Sequence, residues 1–420
     1  MTYNFKTNAI AGLLVSFIAL PLCIAIANAS SFPIMSGIIT AIIGGLVVSQ
    51  ISGNKMAITG PAAGLIVIIL DSVERLGNGD NYQGYLYTLG AIAIASLLQF
   101  ATSFTKIPLL MRKFPEYVIR GMMMAIGLIV LLKQFFILTN YQTPKVSIIE
   151  FFGYLHLAIL GMQIENFLIG ILVIVTIILW KNYLEKKHIL FKIIPIYLLV
   201  IVFGIIIARF IDLKNNQHFL VKEFAHPTSD NFIHISSHLN EALNLPNFSM
   251  ILSYKFWFSV LTIFAVATIE TILSSIALDK IAKTHTDLKK DLRAISIGNL
   301  LCASCGGLPM ITEIVRSSAN VNYGATNKYA NFTHGLALML MIIFLSSYLN
   351  LIPLCVLSAM LILIALNMIN IKLFINIFHQ SKKEFFIILA IIFATLYIDL
   401  LVGVLVGTIL HFITHGRQKN

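Results

Sequence analysis

Polar residues in this chain are gathered into short breaks between long apolar runs. Ala9–Ala29, Pro33–Ser52, Leu86–Phe104, Glu116–Leu138, Ile164–Trp180 and Ile189–Ile211 fill the first half. Phe256–Asp279, Tyr329–Leu349, Leu351–Asn367 and Glu384–Thr414 fill the second. A run near 20 residues crosses a hydrocarbon core as a helix. With no water to satisfy the backbone, a helix or a closed barrel is the only spanning solution. The pattern predicts an all-α polytopic membrane protein with about twelve to fourteen crossings. Pro21 is expected to break the first run, and the last run to break near Asp399, a helix cap. Thr139–Gln163 reads as a polar connection with amphipathic pieces. The predicted division is a first transmembrane repeat over 1–211, an extracytoplasmic loop over 212–255 and a second repeat over 256–420.

Two stretches depart from the pattern. Ile58-Thr59-Gly60-Pro61-Ala62-Ala63-Gly64 leads into about ten apolar residues ending at Asp71, too few to span a bilayer. Gly306-Gly307-Leu308-Pro309 leads into Met310-Ile311-Thr312-Glu313-Ile314-Val315-Arg316. Each reads as a half-helix opened by a proline, which at the first helical position gives up only an unpartnered N–H. The offset from Pro61 to Pro309, applied to Pro21, lands on Ile269 beside Glu270. Features in register between two halves are the mark of inverted-repeat transporters. The half-helices would then face each other near the midplane, each N-terminus carrying about half a positive charge. A small anion fits between them.

Composition agrees. The 420 residues are 58% hydrophobic and 11% charged, with a mean hydropathy of +0.90. Soluble domains are about 25% charged. The net charge of +11 does not indicate nucleic acid. Its basic residues cluster at 106–113, 181–192, 280–293, 372–383 and the C-terminus, which places both termini in the cytoplasm. The short polar start followed by an apolar run reads as a first membrane helix, not a cleaved signal. Cys302 and Cys305 form a CxxC without a second ligand pair, and His218, His226, His234 and His238 match no common metal site. Helix packing and a solvated loop are the expected roles, with no structural metal.

Glu270 is an acid in mid-span. Such a group faces the protein interior. It reads as a proton or sodium site with Ser274 one turn on, or as a structural hydrogen bond to a neighbouring helix. Arg316 either supplies positive potential to an anion or pairs locally with Glu313, three residues before it. No nucleophile–base pair and no phosphate loop argue for an enzyme.

These residues together resemble the SulP sulfate-permease family of inorganic anion transporters. The likeness rests on Ala11-Gly12-Leu13, Ala19-Leu20-Pro21-Leu22 and Ile58-Thr59-Gly60-Pro61-Ala62-Ala63 in the first half. In the second it rests on Ile269-Glu270-Thr271, Leu273-Ser274, Gly307-Leu308-Pro309, Arg316 through Ala325, and Asp399 through Gly407. It covers Lys6 to about Phe412. The resemblance implies a UraA-like fold of seven-plus-seven inverted repeats, with core and gate domains, two half-helices meeting at the midplane and elevator-like movement. It implies an anion site at Leu22, Gly60, Pro61, Ala62, Ala63, Pro309, Met310, Ile311, Thr312 and Arg316. It implies cation coupling, by H+ or Na+, at Glu270 and Ser274, with no other cofactor. Family members usually continue into a STAS domain, so the end at Asn420 suggests a form without one.

Leu22 stands where several relatives carry glutamine, and Ala62 where others carry a hydroxyl. Backbone N–H groups must then do more, which suits a small, modestly charged anion. The Gly-Pro-Ala-Ala-Gly form also resembles a bacterial subgroup associated with carbonic anhydrases. Bicarbonate is favoured over sulfate. The expected partners are a small inorganic anion and the lipid of a bacterial inner membrane, with a homodimer and a functional link to a carbonic anhydrase implied. The competing readings are an uncoupled anion channel and a nucleobase or dicarboxylate permease on the same fold.

Overall fold

The computed structural model describes residues 5–111, 114–141, 148–187, 191, 194–210, 244–349 and 351–415. Most of the expected loop over 212–255, with its four histidines, lies outside them, as do Arg417 and Lys419. Among the described residues, seven helices are long and apolar enough to cross a membrane.

The chain opens with α1 (Phe5–Ala29) and α2, which starts at Ile34–Ile43 and runs on through a π-helical turn at Gly44–Val48 to Ile51. Strand β1 (Thr59–Pro61) and a 3₁₀ turn at Ala63–Leu65 precede α3 (Ile66–Gly77). Asn78, at φ 46°, ends α3, and the Asp80 carboxylate caps α4 (Asn81–Thr102) by accepting from Tyr82 N at 2.9 Å. Then come α5 (Glu116–Thr139), α6 (Ile148–Leu160), α7 (Ile164–Leu179) and α8 (Ile196–Phe210). The second half holds α9 (Tyr254–Ala282), α10 (Leu288–Ser304), β2 (Met310–Thr312) and α11 (Ile314–Asn322). It closes with α12 (Tyr329–Leu349), α13 (Leu354–Ile369), α14 (Ile371–Gln380), α15 (Lys382–Tyr397) and α16 (Leu400–His415).

Three expectations are corrected. Helix α1 runs unbroken through Pro21. Every residue from Ala19 to Ala27 is buried among neighbouring helices, so packing holds the axis although one backbone bond is missing. The stretch 139–163 is not simply a connection, because it contains α6. Lys372 does not lie in a loop either. It belongs to α14, whose left-handed cap residue Asn370 accepts from Leu373 N at 3.2 Å. The break near Asp399 is present, and Asp399 Oδ1 accepts from Leu401 N at 2.8 Å.

The chain divides into two compact units, each drawn from both halves of the sequence. One joins Met1–Arg112 with Val175–Leu357 and contains both strands, α3 and α11. Its helices approach closely through small residues. A methyl group at Gly45 would lie 2.5 Å from Gly335 Cα on α12, and one at Gly44 would lie 2.5 Å from the Thr59 carbonyl oxygen. The other unit joins Lys113–Ile174 with Ser358–Asn420, and α5 packs there on α15 around Met124, Ala125, Ile388 and Ile392.

Candidate functional site

Strands β1 and β2 pair antiparallel, with Thr59 opposite Thr312, Gly60 opposite Ile311 and Pro61 opposite Met310. All six residues are buried. The local sequence favours extension, because a residue before proline is pushed out of the α region. That restricts Gly60 before Pro61 and Leu308 before Pro309. Extended backbone in a buried place needs hydrogen-bond partners. Here each broken segment supplies them to the other. Glu313 N lengthens the ladder by donating to Ile58 O at 3.0 Å, and Asn299 Oδ1 on α10 accepts from Met310 N at 2.6 Å.

This arrangement corrects the position of the half-helices. Neither proline opens a helix. Pro61 lies in β1 and Pro309 immediately before β2, so the helices start several residues later. The two N-termini also differ. The α3 end begins after Ala62, which is extended and makes no side-chain cap. Helix α11 is capped by Glu313, whose carboxylate accepts from Arg316 N at 2.6 Å. That carboxylate offsets the positive end of α11, whereas the α3 end keeps its free N–H groups.

Arg316 joins the two segments. Its side chain is 1% exposed. Nη2 donates to Pro61 O, Nη1 reaches Cys23 Sγ on α1 at 3.4 Å, and Nε lies 3.4 Å from Glu313 Oε2. Glu313 therefore spends its shortest contact on the backbone cap, and the guanidinium head extends past it toward β1. Gly60 makes room, since a methyl group there would sit 2.9 Å from Nη1.

Glu270, on α9, is buried, and its Oε1 has no hydrogen-bond partner among the described residues. It rests on Gly64 in the first turn before α3. A methyl group at Gly64 would come within 2.5 Å of Glu270 Cδ and Oε2, and closer still to Oε1. The structure thus brings Gly60, Pro61, Met310, Ile311, Thr312 and Arg316 together at the strand crossing. Ala62, Ala63 and Glu270 meet at the α3 end. Leu22 is buried in α1 beside Cys23, and Pro309 is buried just before β2. Ser274 is half-buried one turn beyond Glu270 and makes no hydrogen bond to Glu270 Oε1.

Several residues around this cluster went unnoticed in the sequence. Asp291 on α10 is 1% exposed and accepts three hydroxyls: Ser52 at 2.5 Å, Ser275 at 2.6 Å and Thr312 at 3.4 Å. It therefore ties the residue that follows α2 to α9, α10 and β2. Gln99 Oε1 accepts from Asn299 Nδ2 at 3.1 Å, which braces the side chain holding Met310 N. Ser317 Oγ accepts from Ile58 N at 2.9 Å, and Asn320 donates from within α11 to Met56 O at 2.9 Å. The helical spacing of Asp291, Ile295, Asn299 and Cys302 was the available signal.

Comparison with known proteins shows the family and the fold. The sulfate permease family model matches residues 5–391. The putative sulfate transporter YvdB of Bacillus subtilis is 25% identical over 396 residues, covering 92% of this chain and 69% of YvdB. The bicarbonate transporter BicA of Synechocystis is 22% identical over 389 residues, covering 93% of this chain and 66% of BicA. Among solved structures, the transmembrane domain of a cyanobacterial BicA superposes with a TM-score of 0.79 at 21% identity, over 97% of this chain and 98% of that one. SLC26A9 superposes with a TM-score of 0.83 at 16% identity, over 99% and 66%. The fold is the UraA-like seven-plus-seven inverted repeat with core and gate units, in which α3 and α11 are the half-helices. The chain belongs to the sulfate permease family.

Proposed function

We propose that this protein is a secondary active transporter of small inorganic anions, coupled to H+ or Na+ and working by elevator-type alternating access. The observation that carries the reading is one buried cluster holding an uncapped helix end, a guanidinium and a carboxylate without a partner on Oε1. The uncapped α3 end and Arg316 attract an anion. The N–H groups following Pro61, at Ala62 and Ala63, are its backbone ligands. Gly60 keeps the approach open, and Leu22, Pro309, Ile311 and Thr312 form the walls. Met310 backs the site without facing the anion, since its N–H is held by Asn299 and its side chain packs with Val48, Ala294, Ile295 and Cys302. Glu270, with Ser274 one turn away, takes the coupling cation.

Relatives named for sulfate and for bicarbonate support an inorganic anion. Alanine at 62 and leucine at 22 leave few side-chain donors for a dianion, which favours bicarbonate. The basic loops favour an inner-membrane protein with cytoplasmic termini. The test is uptake of labelled bicarbonate, sulfate, chloride and fumarate into proteoliposomes, with and without sodium and pH gradients. Gradient-driven accumulation of an inorganic anion is expected. Movement of none of them sinks the reading, and movement indifferent to both gradients makes the protein a channel.

A further inference from the structure

We infer that the Glu270 carboxylate is an internal competitor for the anion, occupying the approach to the α3 end until a cation neutralises it. The inference rests on the transporter reading and concerns how that site is regulated.

Two independent observations meet at this place. The first is the uncapped start of α3, a twelve-residue helix whose preceding turn carries no side-chain cap. Its free N–H groups and dipole favour a negative charge. The second is Glu270 itself, which is 6% exposed and has no hydrogen-bond partner for Oε1 among the described residues. A buried carboxylate normally gathers donors, as Asp291 does with three hydroxyls. Glu270 lies instead against the one residue of that turn with no side chain. Gly64 is what admits it, because any Cβ there would collide with the carboxylate. The protein's own anion and the transported anion therefore seek the same positive end. Two like charges in a buried site repel strongly.

Charges on the elements packed against α9 do not remove this conflict. On α11, Arg316 directs its guanidinium head to Pro61 O, and Glu313 adds a further negative charge. On α10, Asp291 is held by its hydroxyls, and Lys289, Lys290 and Arg293 lie near the start of that helix. On α3, Asp71 pairs with Arg75 at 2.7 Å. Arg75 stacks over Phe258 at 4.2 Å, about 18 Å along α9 from Glu270. Helix α4 offers only the phenols of Tyr82, Tyr85 and Tyr87, α10 the Cys302 thiol, and β2 no titratable group. The Glu270 charge is thus left to be cancelled by a proton or a sodium ion. Once cancelled, it stops competing. Anion and cation would then load together because each removes the obstacle to the other, without direct contact between them.

The test is equilibrium binding of bicarbonate and of sulfate to the purified full chain in nanodiscs, by thermal-shift titration. Buffers are sodium-rich or sodium-free, at pH 6 and pH 8. Wild type is expected to bind most weakly in sodium-free buffer at pH 8. Glu270→Gln, isosteric and neutral, is expected to bind at least about tenfold tighter there and equally in all four buffers, while losing gradient-driven uptake. Equal or weaker binding by Glu270→Gln in that buffer overturns the inference, as does retention of the wild-type cation dependence. If Glu270→Gln does not fold, Glu270→Asp decides. It keeps the charge but draws it back from Gly64, so the cation dependence should shrink, and an unchanged dependence overturns the inference. A wild-type protein that binds neither anion in any buffer overturns the transporter reading and this inference together, whereas binding without relief in the variants overturns the inference alone.

Discussion

Asn299 on α10 accepts the backbone N–H of Met310 at 2.6 Å. One side chain thereby holds the entrance to β2 and takes one donor out of the set available to an anion. Asn299→Ala would leave that N–H buried and unpaired, at a cost of about 1–3 kcal/mol. We expect a lower unfolding temperature in detergent and a raised KM for uptake. Asn299→Asp keeps the acceptor for Met310 N but loses the donor to Gln99 and buries a charge, so it should recover only part of the KM change.

Arg316 serves Pro61 O, Cys23 Sγ and Glu313 with three different nitrogens. A lysine supplies one point charge and cannot reproduce that fork. Arg316→Lys should reduce anion uptake at least about tenfold, since losing one charge-assisted contact costs roughly 1.5–3 kcal/mol. Arg316→Ala should be worse. Uptake assays on monodisperse protein check both, and full activity in Arg316→Lys would show that only the charge matters.

Asp291 collects hydroxyls from Ser52, Ser275 and Thr312. Asp291→Ala strands the buried Ser275 and Thr312 hydroxyls, whereas half-buried Ser52 keeps the Asn54 carbonyl at 3.1 Å, and we expect a loss of about 2 kcal/mol or more. The result should read as poor yield and a low melting temperature. Ser275→Ala removes one bond of the three and should cost only about 1–2 kcal/mol, without altering cation dependence.

Gly12 faces the Ala330 carbonyl on α12, and even one methyl group would collide with it. Gly12→Ala should force α1 and α12 apart and destabilise the fold by about 1–3 kcal/mol, measurable as a lower melting temperature. Gly153→Ala is the control, since nothing lies within 4 Å of a methyl group there.

Much of this architecture was legible. Apolar runs disclosed the helices, and Tyr329–Leu349 was delimited to the residue. The two Gly-Pro stretches disclosed where the membrane helices are interrupted. Their conformation was less visible. Three-residue strands have no period of their own, and the pairing of Thr59 with Thr312 joins positions far apart in the chain. A proline near φ −65° suits either a first helical turn or an extended strand, so Pro61 and Pro309 could be located but not assigned. Asp291 was hidden by Lys289, Lys290 and Arg293, because a charge count sees a basic loop where a helix has already begun. For Ser274 the one-turn spacing from Glu270 was readable, whereas the bond from its neighbour Ser275 to Asp291 was not.

The crossing of β1 and β2 has a bearing on how selectivity can change. The ladder that joins the two halves of the chain runs through main-chain groups and asks of Gly60, Ile311 and Met310 only that they stay extended. Two of the three side-chain positions carry a packing duty: Met310 fills a buried cluster with Val48, Ala294, Ile295 and Cys302, and Gly60 leaves room for Arg316. Ile311 has neither duty, so scaffold and lining are separable there. A new anion can be accommodated by exchanging that wall while the hinge-like stitch behind it remains as it is.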